Sequence, residues 1–442
     1  MNDRKSNKSN VTTDKAGDTK KDSCRRLALE SLVALERDGR YSNLEVNSVL
    51  AGSSGTALDP ADRALYTKLV YGVTERRLTL DYIIGHYSKV KLSELDPDVL
   101  TALRLGIYQL SFMSKIPEHA AVGESVDLLP RRLRGYVNAI LRQYIRDGKR
   151  YELPEPDDDY LYYLSVKYSI PQGICRIIND CYPERTESIL DAMNREPAIS
   201  LHVNTVKTDV KTALEMTGGE PSKMCSDMIR VARIDDSVKA GLESGLWFVQ
   251  DEASRIAAGA VLPIPGETIV DVCAAPGGKS FSMAIDMNNR GTIYSFDLHK
   301  NKLSLIESGA ARLGIEIIRT EARDARTPDS ALIGHADRVL CDAPCSGLGV
   351  LAKKPDIRYR DLSQIGSLPE IQYNILCGAS AYLKIGGRLV YSTCTLNKAE
   401  NEAVVERFIR DNDSYELIET RTFLPDTDGC DGFFYAAMTK VK

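Results

Sequence analysis

From residue 24 to about residue 150, apolar side chains recur at three- and four-residue spacing, as in Leu27, Leu29, Leu32, Val33 and Leu35. That spacing gives a helix one continuous apolar stripe. The interruptions fit the same reading: residues 52–55 form a glycine-bounded loop, and Pro60 and Pro97 each follow an aspartate, suiting the first turn of a helix behind its cap. An all-helical domain is therefore expected over 23–150. Residues 151–159 carry two prolines and several acids without periodicity, the mark of a linker. Over 160–263, helical stretches give way to short alternating segments at 200–203 and 228–231, with Gly218-Gly219 as a turn, which predicts a small α+β domain. Over 264–442, strand candidates at 268–273, 292–297, 316–319, 338–342 and 388–392 alternate with helical stretches. This predicts a Rossmann-like α/β domain built on a parallel, doubly wound sheet.

Length supports the multidomain reading, because 442 residues exceed what one core ordinarily organises. Residues 1–22 mix lysine and aspartate without the apolar stretch of a secretory signal; a disordered polar tail and a cytoplasmic protein are expected, with no membrane role. Ten scattered cysteines without a CxxC pair, and five histidines, favour neither a metal site nor a disulfide framework. A net charge of -5 restricts any grip on nucleic acid to local basic patches. Two such patches stand out: Lys353, Lys354, Arg358 and Arg360 in one loop, and Arg131, Arg132, Arg134, Arg142 and Arg146 in the helical domain. Either reads as a solvated surface or as a set of phosphate contacts.

The chemistry gathers in the last domain. Its first strand runs into Asp271-Val272-Cys273-Ala274-Ala275-Pro276-Gly277-Gly278-Lys279, a turn of small residues that admits a ligand close to the backbone. Alone, such a turn serves a nucleotide, a dinucleotide or nothing. It lacks the GxGxxG phosphate cradle, which disfavours a nicotinamide oxidoreductase and favours a nucleoside without phosphate, such as S-adenosylmethionine. Asp297 ends the second strand, where it either holds ribose hydroxyls or caps the helix before His299. Cys341 and Cys377 read as small buried hydrophobes. Cys345, in Asp342-Ala343-Pro344-Cys345-Ser346-Gly347, and Cys394, in Ser392-Thr393-Cys394-Thr395, instead lie just past the ends of neighbouring strands, where open α/β sheets bind ligands.

The turn at 271–279, the two cysteine segments and Asn401, in this order and spacing, resemble the RsmB/Sun family of bacterial ribosomal RNA cytosine methyltransferases. The segments 116–120 (IPEHA) and 134–142 (RGYVNAILR) resemble a NusB-like RNA-binding domain; Val203-Asn204-Thr205, 250–254 (QDEAS) and 431–435 (DGFFY) resemble further family segments. The resemblance implies methylation of carbon 5 of a specific cytosine in small-subunit (16S) ribosomal RNA, with S-adenosylmethionine as donor; a monomer without metal is expected. It implies Cys394 as the nucleophile, Cys345 as an aid to product release, Asp342 at the ring-nitrogen edge of the base and Lys279 near the thiols. It also implies that the turn from Cys273 to Lys279 wraps the methionine end of the donor, that Asp297 holds its ribose, that Asp324 reaches its adenine and that Asp342 borders its methyl group. Covalent attack suits the chemistry, since carbon 5 of cytosine is too weak a nucleophile without a thiolate added at carbon 6. The base must leave any helical stack to reach such a thiol. Other readings are a transfer RNA or DNA cytosine methyltransferase, and an RNA-binding assembly or antitermination factor that has lost catalysis.

Overall fold

The computed structural model describes residues 23–442, so the tail expected over 1–22 lies outside the described residues. The chain divides into two compact units: one holds the chain up to Thr74 together with Ile83–Arg150, and the other holds Glu75–Tyr82 with Tyr151–Lys442.

The first unit is helical. Asp59 accepts from the amide of Asp62 (2.8 Å) and Asp96 from that of Asp98 (2.9 Å), capping the helices Pro60–Tyr87 and Pro97–Phe112 behind their first-turn prolines. Pro97–Phe112 is apolar around most of its circumference and buries Leu103, Leu105 and Ile107 completely. Helix Arg131–Arg146 is amphipathic: it buries Val137, Ile140, Leu141 and Tyr144 and leaves Arg131, Arg132 and Arg142 exposed. Arg134 is spent locally, donating to the carboxylate of Asp127 (2.6 Å) and the carbonyl of Leu129 (2.8 Å).

The second unit contains two sheets. A four-stranded antiparallel sheet has the order β2-β3-β1-β4, formed by β1 (Ile199–Val203), β2 (Glu220–Pro221), β3 (Met228–Val231) and β4 (Trp247–Val249). The second sheet comprises β5 (Thr268–Asp271), β6 (Thr292–Asp297), β7 (Ile318–Ala322), β8 (Ala336–Asp342), β9 (Leu383–Thr393), β10 (Tyr415–Phe423) and β11 (Phe433–Lys440), in the order β10-β11-β9-β8-β5-β6-β7. Strands β5 to β9 pair in parallel, whereas β11 and β10 extend the sheet antiparallel beyond β9. The chain order reverses between β5 and β8, so the crevice at their carboxyl ends is where such a sheet receives ligands.

The segments 160–263 and 264–442, read from sequence as separate domains, share one compact unit. Phe248, Ala253 and Ala257 pack in a common core with Ile269, Phe281 and Leu340. Arg255 pairs with Asp227 (2.7 Å) and Asp286 (2.8 Å), and Asn204 donates to the carbonyls of Gly245 (3.0 Å) and Leu313 (2.9 Å). Buried polar groups satisfied across a boundary tie its two sides together. No described helix is long and apolar enough to cross a membrane.

One sequence expectation is corrected here. Arg358 is fully buried and does not face RNA; it donates to the carbonyls of Glu75 (3.0 Å), Ser169 (3.2 Å) and Met193 (3.1 Å). Arg358→Met should strip all three acceptors and destabilise the protein by about 3 kcal/mol in a denaturant titration. An RNA clamp would show the opposite: unchanged stability and weakened RNA binding.

Candidate active site

The site begins where β5 stops. Asp271 is fully buried; its Oδ2 accepts from Ser280 Oγ (2.7 Å), and Ser280 in turn meets Ser295 Oγ (2.8 Å), while Oδ1 has no hydrogen-bond partner among the described residues. Burial pushes the Asp271 carboxyl up to about 7. The turn that follows is closed by the amide of Gly277 on the carbonyl of Ala274 (2.7 Å). Gly277 adopts φ +111°, and a β-carbon there would meet the Phe281 ring at 2.5 Å, so glycine is required on both counts.

This turn walls a pocket of about 510 Å³. Cys273, Ala274, Ala275, Pro276, Gly278 and Lys279 line it from β5; Asp342 and Cys394 line it from the ends of β8 and β9. Asp297 and Asp324, expected to touch the donor, do not line this pocket. Asp297 closes its own turn by accepting from the amide of His299 (2.9 Å) without capping the helix Lys300–Leu313, whose cap is His299, and Asp324 is held by Arg326 (2.6 Å). Both sit at the carboxyl-end rim of the sheet, Asp297 at the end of β6 and Asp324 just after β7.

The two cysteines meet. Cys345 Sγ and Cys394 Sγ lie 3.3 Å apart, both as free thiols. The hydrogen bond from Cys345 pulls the Cys394 pKa below its ordinary value, with help from Lys279 and Lys354 and against burial and Asp342. The same bond, burial and the facing charge push Cys345 well up. The pair is thus biased, so that Cys394 is the sulfur that gives up its proton first and Cys345 the one that keeps it. Lys279 Nζ donates to Asp342 Oδ2 (2.6 Å), and Ser392 Oγ donates to Asp342 Oδ1 (2.8 Å). Burial opposes the Lys279 charge, but Asp342 outweighs it and the lysine pKa rises.

The basic loop is less uniform than its sequence. Besides the buried Arg358, Lys353 is clamped between Asp251 (2.6 Å) and Asp431 (2.9 Å), which neutralise it locally. Burial and the neighbouring Asp251 push Asp431 up to about 7. Lys354 and Arg360 are exposed, and Lys354 also lines the pocket. Sequence reasoning missed the roles of Asp271 and Ser392, although each sits at the end of a strand it had located, where an acid or hydroxyl faces the crevice.

Comparison with known proteins finds one family of relatives along most of the chain. The family model "16S rRNA methyltransferase RsmB/F" matches residues 258–439, the NusB family model matches 22–146, and an RsmF/B-like ferredoxin-like domain model matches 170–232. A protein of Bacillus subtilis named probable ribosomal RNA small subunit methyltransferase B is 35% identical across 95% of this chain and 99% of its own length. The ribosomal RNA small subunit methyltransferase B of Vibrio cholerae is 32% identical across 86% of this chain and 90% of its own. The crystal structure of PH0851 superposes with a TM-score of 0.77, covering 94% of this chain and 99% of that one, at 26% identity.

Proposed function

The chain belongs to the RsmB/F family of ribosomal RNA methyltransferases, and from that premise we propose that it methylates carbon 5 of a cytosine in small-subunit ribosomal RNA through a covalent bond to Cys394. The observation that carries this reading is Cys394 on the wall of the pocket with the Cys345 sulfur 3.3 Å from its own.

The pocket fits S-adenosylmethionine as donor. The turn from Cys273 to Lys279 is small enough for close approach, and the buried, unpartnered Oδ1 of Asp271 offers an acceptor beside it. These residues would hold the methionine end, with Asp297 and Asp324 at the ribose and adenine. When bound, the donor supplies an electrophilic methyl group.

The chain's own residues do the rest. Cys394 attacks carbon 6 as a thiolate, a carbon–sulfur bond forms, and the ring electrons shift so that carbon 5 becomes nucleophilic. Asp342, held by Lys279 and Ser392, takes the ring-nitrogen edge: it delivers a proton to the ring nitrogen as the thiolate adds and takes it back as the thiolate departs. After methylation the carbon 5 proton must leave, the carbon 5–carbon 6 double bond re-forms and the Cys394 thiolate departs. Attack by Cys394 removes the charge that held Cys345 protonated, so Cys345 can release its proton to solvent and, as a thiolate, take up the carbon 5 proton when that step arrives. Lys354, Arg360 and the exposed arginines of helix Arg131–Arg146 supply the phosphate contacts.

RNA carrying 5-fluorocytidine tests the covalent step, because the fluorine cannot leave as the proton does and the enzyme remains attached. Peptide mass mapping should find the RNA on Cys394. Attachment to Cys345, or none, would refute the assignment.

A further inference from the structure

Just behind the two sulfurs lies a carboxylate that the mechanism does not use. Glu400 is fully buried, and among the described residues it has no ion-pair partner. Four hydrogen bonds satisfy it instead. Its Oε1 accepts from Ser346 Oγ (2.6 Å) and Asn397 Nδ2 (3.0 Å); its Oε2 accepts from the amide of Ser346 (2.8 Å) and from Gln372 Nε2 (3.0 Å). A buried anion held without a cation is costly and persists where its geometry is needed.

The donors belong to the segments that carry the thiols. Ser346 directly follows Cys345, and Gln372 also donates to the carbonyl of Pro344 (3.0 Å), so the carboxylate holds both flanks of Cys345. Because Ser346 Oγ spends its proton on Glu400, it accepts from Thr395 Oγ1 (2.7 Å), and Thr395 directly follows Cys394. The two cysteine segments are joined again where the amide of Gly349 donates to the carbonyl of Cys394 (3.0 Å). The chain of bonds Glu400–Ser346–Thr395 therefore spans from one cysteine segment to the other.

We propose that Glu400 is a positioning residue for methyl transfer: through Ser346, Gln372, Asn397 and Thr395 it holds the Cys345 and Cys394 segments in register and so keeps the two sulfurs within reach of each other. This inference rests on the covalent reading of Cys394. The charge of Glu400 also acts on Cys345, adding to the influences that keep its proton in place, so the same residue helps decide which sulfur is the nucleophile.

Glu400→Gln keeps the volume but turns an N–H₂ group toward donors that need an acceptor. Thr395→Val removes only the hydroxyl that links the segments. The readout is the rate of covalent complex formation on 5-fluorocytidine RNA, with S-adenosylmethionine affinity and the KM for RNA measured alongside. The expected result is a rate lowered by about tenfold or more in Glu400→Gln and about threefold in Thr395→Val. Both affinities should stay within about twofold of wild type, a split that general loss of structure does not produce. If Glu400→Gln fails to fold, Thr395→Val alone decides. Wild-type rates in the folded variants, or a rate that falls only in step with S-adenosylmethionine affinity, would overturn the proposal while leaving the covalent reading intact. Absence of the complex in the wild type would instead overturn the covalent reading, and this inference with it.

Discussion

Cys345→Ala is expected to convert the enzyme into one that attacks its RNA and does not let go. Attack needs the Cys394 thiolate; losing the Cys345 bond leaves Lys279 and Lys354 against burial and Asp342, so attack slows, yet each adduct that forms accumulates because its release is blocked. Release needs a base for the carbon 5 proton, and Cys345, 3.3 Å from the attacking sulfur, is the group placed to be one. Removing a positioned general base slows its step by about a hundredfold to ten-thousandfold. Denaturing gel electrophoresis with unsubstituted RNA and S-adenosylmethionine should therefore show a covalent protein–RNA band in Cys345→Ala and little in wild type. Free turnover in Cys345→Ala without such a band would remove Cys345 from product release.

Cys394→Ala should lose methyl transfer by at least about a thousandfold, because the other thiol on the pocket wall, Cys273, is held protonated by burial and the acids around it. Cys345 does not substitute: it does not line the pocket, and burial and the charge of Glu400 still push its pKa up once Cys394 is gone. S-adenosylmethionine affinity should persist in calorimetry, since the turn at 273–279 and Asp271 are untouched. The double variant Cys345→Ala/Cys394→Ala should form no covalent band, which identifies the attached sulfur by elimination.

The parts of this architecture legible in the sequence were those with a strong local signature. The parallel strands β5, β6, β8 and β9 are buried on both faces and read as short apolar runs, and the thiols follow because they sit just past two of those runs. Strand β10 was missed because it lies at the sheet edge and carries Glu416, Glu419 and Arg421 on exposed positions, so it looks like a polar connection. Charge misled in the same way at Arg358 and Lys353: a basic run reads as surface, yet one side chain ties three carbonyls together inside the protein and the other neutralises two aspartates. Glu400 stayed invisible for a related reason. It belongs to the polar stretch after Cys394, and only the folded chain brings Ser346 and Gln372 to it. Burial of charge is a tertiary property, and periodicity carries no trace of it.

The central claim is that a methyl group goes to carbon 5 of cytosine by way of Cys394. Its most direct test is methyl transfer from labelled S-adenosylmethionine to unmodified small-subunit ribosomal RNA, followed by digestion and mass identification of the labelled nucleoside. The account predicts label in 5-methylcytidine with wild type and none with Cys394→Ala. Label in any other nucleoside, or 5-methylcytidine still formed by Cys394→Ala, would contradict it.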